Sequence, residues 1–256
     1  MKKTALLSLA WLAIASSFSA QAADEIALQR GQSTVTWRYG SSQNFGWEAQ
    51  VANLGPVKSV YAHVKNIDGQ WIDVPLQYHS SSGAGKEIWK GYWFAHGNWD
   101  AEYALKYEVN GRTYWDNNQG RNYRQGADTG SLLRDGLNVL NRYEPVVRAS
   151  WDNQLHGSVT VRNLGPAKNV AVVYSTDGWR TSQVVQAYYN PAYWNSGYSA
   201  APNPNAYGAE EWTYQLPLGE ASRLELAVSY TVNGQTFWDN NQGQNYSVRI
   251  ERESTR

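Results

Sequence analysis

The stretch AEYALKYEVNGRTYWDNNQGRNY, residues 101–123, returns as LELAVSYTVNGQTFWDNNQGQNY, residues 224–246, with 15 identities in 23 positions, too many for coincidence. Within it Leu224, Leu226, Val228, Tyr230 and Val232 stand between mostly polar neighbours, as do Ala101, Tyr103, Leu105, Tyr107 and Val109. A period of two is that of a strand with one buried face. Both runs end in Asn-Gly, at Asn110-Gly111 and Asn233-Gly234. Those residue types tolerate the positive φ that a two-residue hairpin turn demands.

The repetition extends outward. Asn53-Leu54-Gly55-Pro56-Val57-Lys58-Ser59-Val60 recurs 110 residues later as Asn163-Leu164-Gly165-Pro166-Ala167-Lys168-Asn169-Val170. The closing block recurs at an offset of 123, so the second copy holds a net insertion between the two motifs. Leu28-Gln29-Arg30 resembles Leu140-Asn141-Arg142 and marks the start of each unit. Helical periodicity is absent beyond the N-terminal segment, Ser131–Leu140 offering one turn at most. The expected organisation is a first unit at 24–125, a linker at 126–135 and a second unit at 136–250. Each is an antiparallel all-β domain, a sandwich or a small barrel.

Lys2 and Lys3, the apolar run Ala5–Phe18 and Ala20-Gln21-Ala22 read as a signal peptide over residues 1–22, cleaved near Ala22. The run is too short for a membrane anchor, and a secreted or periplasmic product is expected. With 22 basic and 22 acidic side chains the chain has no field to hold a nucleic acid. Without cysteine it has no disulfide, thiol nucleophile or thiolate metal site. The four histidines lack metal-ligand spacing, and no metal or cofactor is expected. A glycosidase needs two carboxylates facing across one cleft. Asp68 with Asp177, Glu102 with Glu225 and Asp116 with Asp239 instead recur one set per unit. No enzyme is expected; Asp116 and Asp239 should accept N–H bonds within their loops.

The block Trp115–Tyr123, repeated as Trp238–Tyr246, is too rich in Asn for a strand and should form a polar loop. Carboxamides match vicinal sugar hydroxyls, and rings beside them can stack on a pyranose face. The same residues also suit a structural turn. Trp115 and Trp238 are assigned to the core, as are Trp89 and Trp93, with Tyr92 pointing outward.

Three residue sets resemble carbohydrate-binding module family 21, the starch- and glycogen-binding modules. They are the closing motif in both copies, Lys58-Ser59-Val60 with Lys168-Asn169-Val170, and Asp177-Gly178-Trp179. The resemblance implies two immunoglobulin-like β-sandwiches in tandem that bind α-glucans. It places ligand contacts on Trp179, on Asn240, Asn241, Asn245 and Tyr246, and on Asn117, Asn118, Asn122 and Tyr123. In the first copy Asp68-Gly69-Gln70-Trp71 carries one extra residue before the ring, which would reverse the face of Trp71 in a strand and be absorbed in a loop. Members of the family carry an aromatic where Pro56 and Pro166 stand, and an arginine at Val173.

The insertion runs from Tyr188 to Tyr207 and is rich in Pro, Gly and aromatic residues. Tyr193, Trp194 and Tyr198 form either a platform along a glucan or, with their neighbours, a lid or a contact with the first unit. The resulting expectation is a secreted, non-catalytic α-glucan-binding protein. The alternatives are an envelope protein whose aromatic surfaces bind another protein, and an accessory subunit of a secreted amylase.

Overall fold

The computed structural model describes residues 25–36, 42–191 and 201–252. The expected signal peptide and Tyr193, Trp194 and Tyr198 lie outside the described residues. Every element among the described residues is a strand. The N-terminal half holds β1 (Ile26–Thr36), β2 (Ser42–Ala52), β3 (Lys58–Lys65), β4 (Trp71–Ser82), β5 (Lys86–His96), β6 (Ala101–Val109), β7 (Arg112–Asp116), β8 (Tyr123–Gln125) and β9 (Gly130–Leu133). The C-terminal half holds β10 (Val139–Asn141), β11 (Val146–Arg148), β12 (Gln154–Arg162), β13 (Lys168–Ser175), β14 (Gln183–Gln186), β15 (Tyr188–Tyr189), β16 (Ala209–Pro217), β17 (Arg223–Val232), β18 (Gln235–Asp239) and β19 (Tyr246–Glu251).

In the C-terminal half two sheets, β10-β12-β16-β15 and β11-β19-β17-β13-β14 with β18 on β17, enclose one core. In the N-terminal half the sheet is continuous, β7-β6-β3-β4-β5-β2-β1-β9, with β8 on β6. The difference lies in one strand. β4 pairs β3 up to Leu76 and β5 from Gln77, carrying the sheet around a corner. The equivalent chain breaks at Ala187, so β14 pairs β13 and β15 pairs β16. A second cluster, including Phe45, Trp47, Tyr103 and Tyr107, fills the N-terminal half, with Trp89 and Trp93 packed against it and Tyr92 exposed.

The two repeated motifs brace each other. Asn110 and Asn233 adopt φ of 52° and 51° in their hairpin turns. Their side-chain amides donate to Leu54 O and Leu164 O, at 2.8 and 2.9 Å. A Cβ on Gly55 or Gly165 would come within 2.8 Å of the same carboxamide, so glycine is needed there. The lysine that follows is buried: Lys58 Nζ bonds Glu87 at 2.9 Å, and Lys168 Nζ bonds Glu210 at 2.7 Å. Each glutamate also accepts an indole N–H, from Trp89 or Trp212.

The stretch expected to be a linker is part of the fold. β9 pairs β1 from Ser33↔Gly130 to Arg30↔Leu133, burying Ser131 and Leu133. Leucines at 132 and 133 supply the apolar surface that a free tether lacks. The described end of the insertion, residues 201–208, bonds the stretch between the repeated units. Tyr207 Oη accepts Gly126 N–H at 2.9 Å, and Asn205 Nδ2 donates to Ser131 O at 2.6 Å.

Candidate functional site

The outer face of the sheet formed by β18, β17, β13 and β14 carries the candidate site. Asn-Gly turn arithmetic pairs Val232 with Gln235 and hence Ser229 with Trp238. Trp238 therefore shares the outward face of Ser229, while Phe237 joins inward Tyr230. Trp238 is 54% exposed and Trp115 41%, which corrects their assignment to the core. Ala227 pairs Val173, and Val173 pairs Val184, making an apolar floor beside the indole.

Trp179 stands on the turn between β13 and β14, 37% exposed. Its backbone is left-handed, φ 64°, a conformation unfavourable for a bulky residue. The turn is held by its neighbours. Ser175 Oγ accepts the Trp179 N–H at 2.9 Å, and Asp177 accepts the Thr181 N–H and hydroxyl at 3.0 and 2.7 Å. Those bonds from Thr181, with one from Ser175, hold the Asp177 carboxyl down at about 2. Trp179, Trp238, Val173, Ala227, Asn240 and Asn245 wall a shallow concavity of about 350 Å³.

The closing loop is a left-handed turn built twice. Asn118, Gln119, Gly120 and Asn122 have φ of 51°, 58°, 86° and 56°; Asn241, Gln242, Gly243 and Asn245 have 52°, 55°, 88° and 57°. Asn and Gly tolerate this region best, which explains much of the motif without any ligand. Asn117 and Asn240 use Oδ1 to accept the N–H of Gly120 and Gly243. Asn118 and Asn241 donate to the carbonyls of Asn122 and Asn245.

Several expected contacts are thereby corrected. Asn118 is engaged at both ends, its Oδ1 taking a long bond from Arg121. Asn241 Oδ1 accepts from Ser82 Oγ and Gly83 N–H, both at 2.9 Å, and so fastens the halves together. Tyr123 is buried, stacked on Tyr103 and donating to Asp116. Tyr246 donates to Asp239 at 2.7 Å with its ring 4.7 Å from Tyr143. Neither tyrosine presents a ring on the outer face. Asn122 donates to Glu102 at 2.8 Å, leaving its oxygen. In the second copy Glu225 meets Arg223 instead, and among the described residues no hydrogen bond uses the Asn245 carboxamide. Asn240 Nδ2 and Asn245 are thus the amides available at the concavity.

Asp116 and Asp239 do more than close their loops. Asp116 accepts the Leu28 N–H at 2.7 Å and Asp239 the Asn141 N–H at 2.6 Å, tying each loop to the first strand of its half. Burial pushes the Asp239 carboxyl up to about 6, outweighing its hydrogen bonds from Asn141 and Tyr246.

The N-terminal half has a counterpart of different shape. Trp71 opens β4 on the same face as His63, the turn Asn66–Gln70 having absorbed the extra residue. Trp71 lies flat on His63, centroids 4.8 Å apart, and His63 meets Trp115 edge-on at 5.2 Å. His63 and Lys106 both bond Asp73; burial opposes the Asp73 charge, but these bonds hold its carboxyl below the usual range. Asn117, two residues after Trp115, is exposed. Sequence reasoning missed His63, Trp115, Trp238 and the Glu87 and Glu210 partners of the lysines. Hairpin register and the spacing Glu-x-Trp, at 87–89 and 210–212, were the signals for them.

The family model described as "Carbohydrate/starch-binding module (family 21)" matches residues 140–249. Glycogen-binding subunit 76A of Drosophila melanogaster is 38% identical over 40% of this chain and 14% of its own length. Human protein phosphatase 1 regulatory subunit 3E is 36% identical over 36% of this chain and 30% of its own length. The chain thus spans under a third of either relative. Among solved structures, the starch-binding domain of Rhizopus oryzae glucoamylase, in complex with β-cyclodextrin and maltoheptaose, is 23% identical with a TM-score of 0.31, covering 40% of this chain and 95% of that one. The carbohydrate-binding module of the muscle glycogen-targeting subunit of protein phosphatase 1 is 24% identical, TM-score 0.31, over 41% and 71%. At those values neither structure bears on the function.

Proposed function

We propose, from a C-terminal half that carries one family 21 starch-binding module, that the chain binds α-glucan without acting on it, chiefly at the Trp179–Trp238 shelf. The observation that carries this reading is the pair of exposed indoles flanking a concavity inside the matched residues, one on a strained, clamped turn. A pyranose stacks its C–H face on an indole, while Asn240 Nδ2 and the Asn245 carboxamide meet ring hydroxyls. Such contacts replace hydroxyl–water bonds, so one shallow site should be weak.

The N-terminal half is read as a diverged second module in tandem. Supporting this are the repeated closing-loop dihedrals and the matching Lys58–Glu87 and Lys168–Glu210 pairs. The non-catalytic reading is supported by Asp177, Asp116 and Asp239, each held by its own turn or loop rather than paired across a cleft. Secretion rests on residues 1–22 alone; the mature N-terminus would be near Ala23. A secreted amylase partner draws no support from the curated relatives, which are named as glycogen-binding and phosphatase regulatory subunits.

The test is retention of the chain on insoluble starch. Retention competed by maltoheptaose and not by cellohexaose is expected, with Trp179→Ala released at lower glucan concentration. Equal retention of parent and variant would count against this shelf.

A further inference from the structure

Between the two halves lies a separate cavity of about 340 Å³. Gln29 reaches it from β1. Leu28 pairs Ala49 and Arg30 pairs Glu48, so Gln29 is the extra residue of a bulge, a device that re-aims a side chain. Gln29 is 6% exposed, yet its Nε2 has no hydrogen-bond partner among the described residues; Arg134 Nε likewise lacks one, and Glu48 Oε2 meets Arg30 at 3.7 Å and Lys90 at 4.0 Å without a hydrogen bond. All three residues line the cavity. Buried polar groups are almost always satisfied, so such a cluster marks a place for a bound species.

The chemistry of that species follows from the walls. Lys86, Lys90 and Arg134 line it together with Glu48 and Asp239; Glu48 also meets Arg30 and Lys90 also bonds Glu144, so cations and anions are interspersed and favour a ligand of many hydroxyls over one carrying a single charge. A sugar hydroxyl both donates and accepts, which answers walls that mix amides, such as those of Gln29 and Gln50, with charged donors and acceptors. Tyr143 and Tyr246 offer a ring wall. The volume is at the low end for small-molecule sites, about 300–1,000 Å³, and suits one or two sugar units rather than a running chain. Trp238 and Asn240 line both this cavity and the outer shelf, so the two spaces share a wall.

We propose that this cleft receives the terminal glucosyl unit of a glucan whose following residues lie on the Trp179–Trp238 shelf; this rests on the α-glucan reading above. The shelf then grips the chain and the cleft selects for its end.

The test follows the Gln29 side-chain amide and the Trp179 indole of the full chain by NMR during four titrations. Maltose and maltoheptaose should move both signals. Glucose should move Gln29, and β-cyclodextrin, which has no chain end, should move Trp179 alone. Gln29→Leu should weaken glucose binding at least tenfold while leaving the β-cyclodextrin titration intact, which also reports a folded shelf. If that variant does not fold, Gln242→Trp at the exposed mouth should block glucose with the same sparing of β-cyclodextrin. A Gln29 amide unmoved by glucose, maltose and maltoheptaose overturns the proposal. A shift with glucose but not maltoheptaose assigns a free sugar and overturns the chain-end assignment. A Trp179 indole unmoved by every ligand overturns the shelf reading instead.

Discussion

His63 lies flat against Trp71, ring planes 6° apart, whereas the matching position beside Trp179 is Val173, which leaves the concavity open. One face of Trp71 is thus already covered by the protein's own ring. Replacing a stacked ring by a smaller side chain exposes that face, and a stack is worth about 0.5–1.5 kcal/mol. In a Trp179→Ala background, His63→Val should raise glucan affinity about two- to tenfold, measured by calorimetric titration with maltoheptaose. An unchanged or lower affinity would show that the N-terminal shelf is not limited by His63.

Trp238 tests the surface assignment. A side chain 54% exposed contributes little to the core, so Trp238→Ala should cost under about 1 kcal/mol of stability in urea. Its loss from the shelf should cost about 1–3 kcal/mol of maltoheptaose binding, as a central aromatic contact does. A stability loss of about 3–5 kcal/mol, the range for a core tryptophan, would return the ring to the interior.

The Lys168–Glu210 pair tests the meaning of the Asn-Leu-Gly-Pro-x-Lys motif. Both side chains are more than nine-tenths buried. Lys168→Met strands the carboxylate and should destabilise by about 3–5 kcal/mol in urea unfolding. Adding Glu210→Leu should restore part of that loss, the rest going with the acceptor of the Trp212 indole N–H. No recovery in the double variant would mean the lysine acts by packing alone.

Asp239 gives a pH dependence with a definite sign. Its folded value of about 6 lies above the ordinary 3.8, so between those pH values the folded chain keeps a proton that the unfolded chain has lost. Its contribution is therefore fully present below pH 3.8 and declines as pH rises to about 6, by roughly 3 kcal/mol at 1.36 per pKa unit. Glu144, held at about 2 by His79 and Lys90 against the effect of burial, works oppositely and loses its contribution as pH falls from 4.5 toward 2. Urea unfolding across pH 4–7 should show the decline in the parent and a flatter profile in Asp239→Asn. Identical profiles would remove Asp239 as the cause.

Strand alternation and the two Asn-Gly turns made the all-β architecture legible, because period and turn chemistry are local. The corner in β4 was not legible, since whether a strand bends or breaks depends on what it packs against. The closing loops were half legible. Their asparagines announce a left-handed turn, but which carboxamide is left over depends on distant residues: Glu102 takes Asn122, and Ser82 takes Asn241. Gln29 falls in the repeated Leu28-Gln29-Arg30 block, but its bulge was not legible, because a bulge is a mismatch between two strands and not a property of either.

The central claim is that Trp179 and Trp238 form one α-glucan shelf, and the indole N–H resonances of the full chain report on it most directly. On adding maltoheptaose both should shift together along one saturation curve, with cellohexaose leaving them in place. If maltoheptaose saturates the protein while these two resonances stay still, or moves them no more than cellohexaose does, the shelf is not the binding surface.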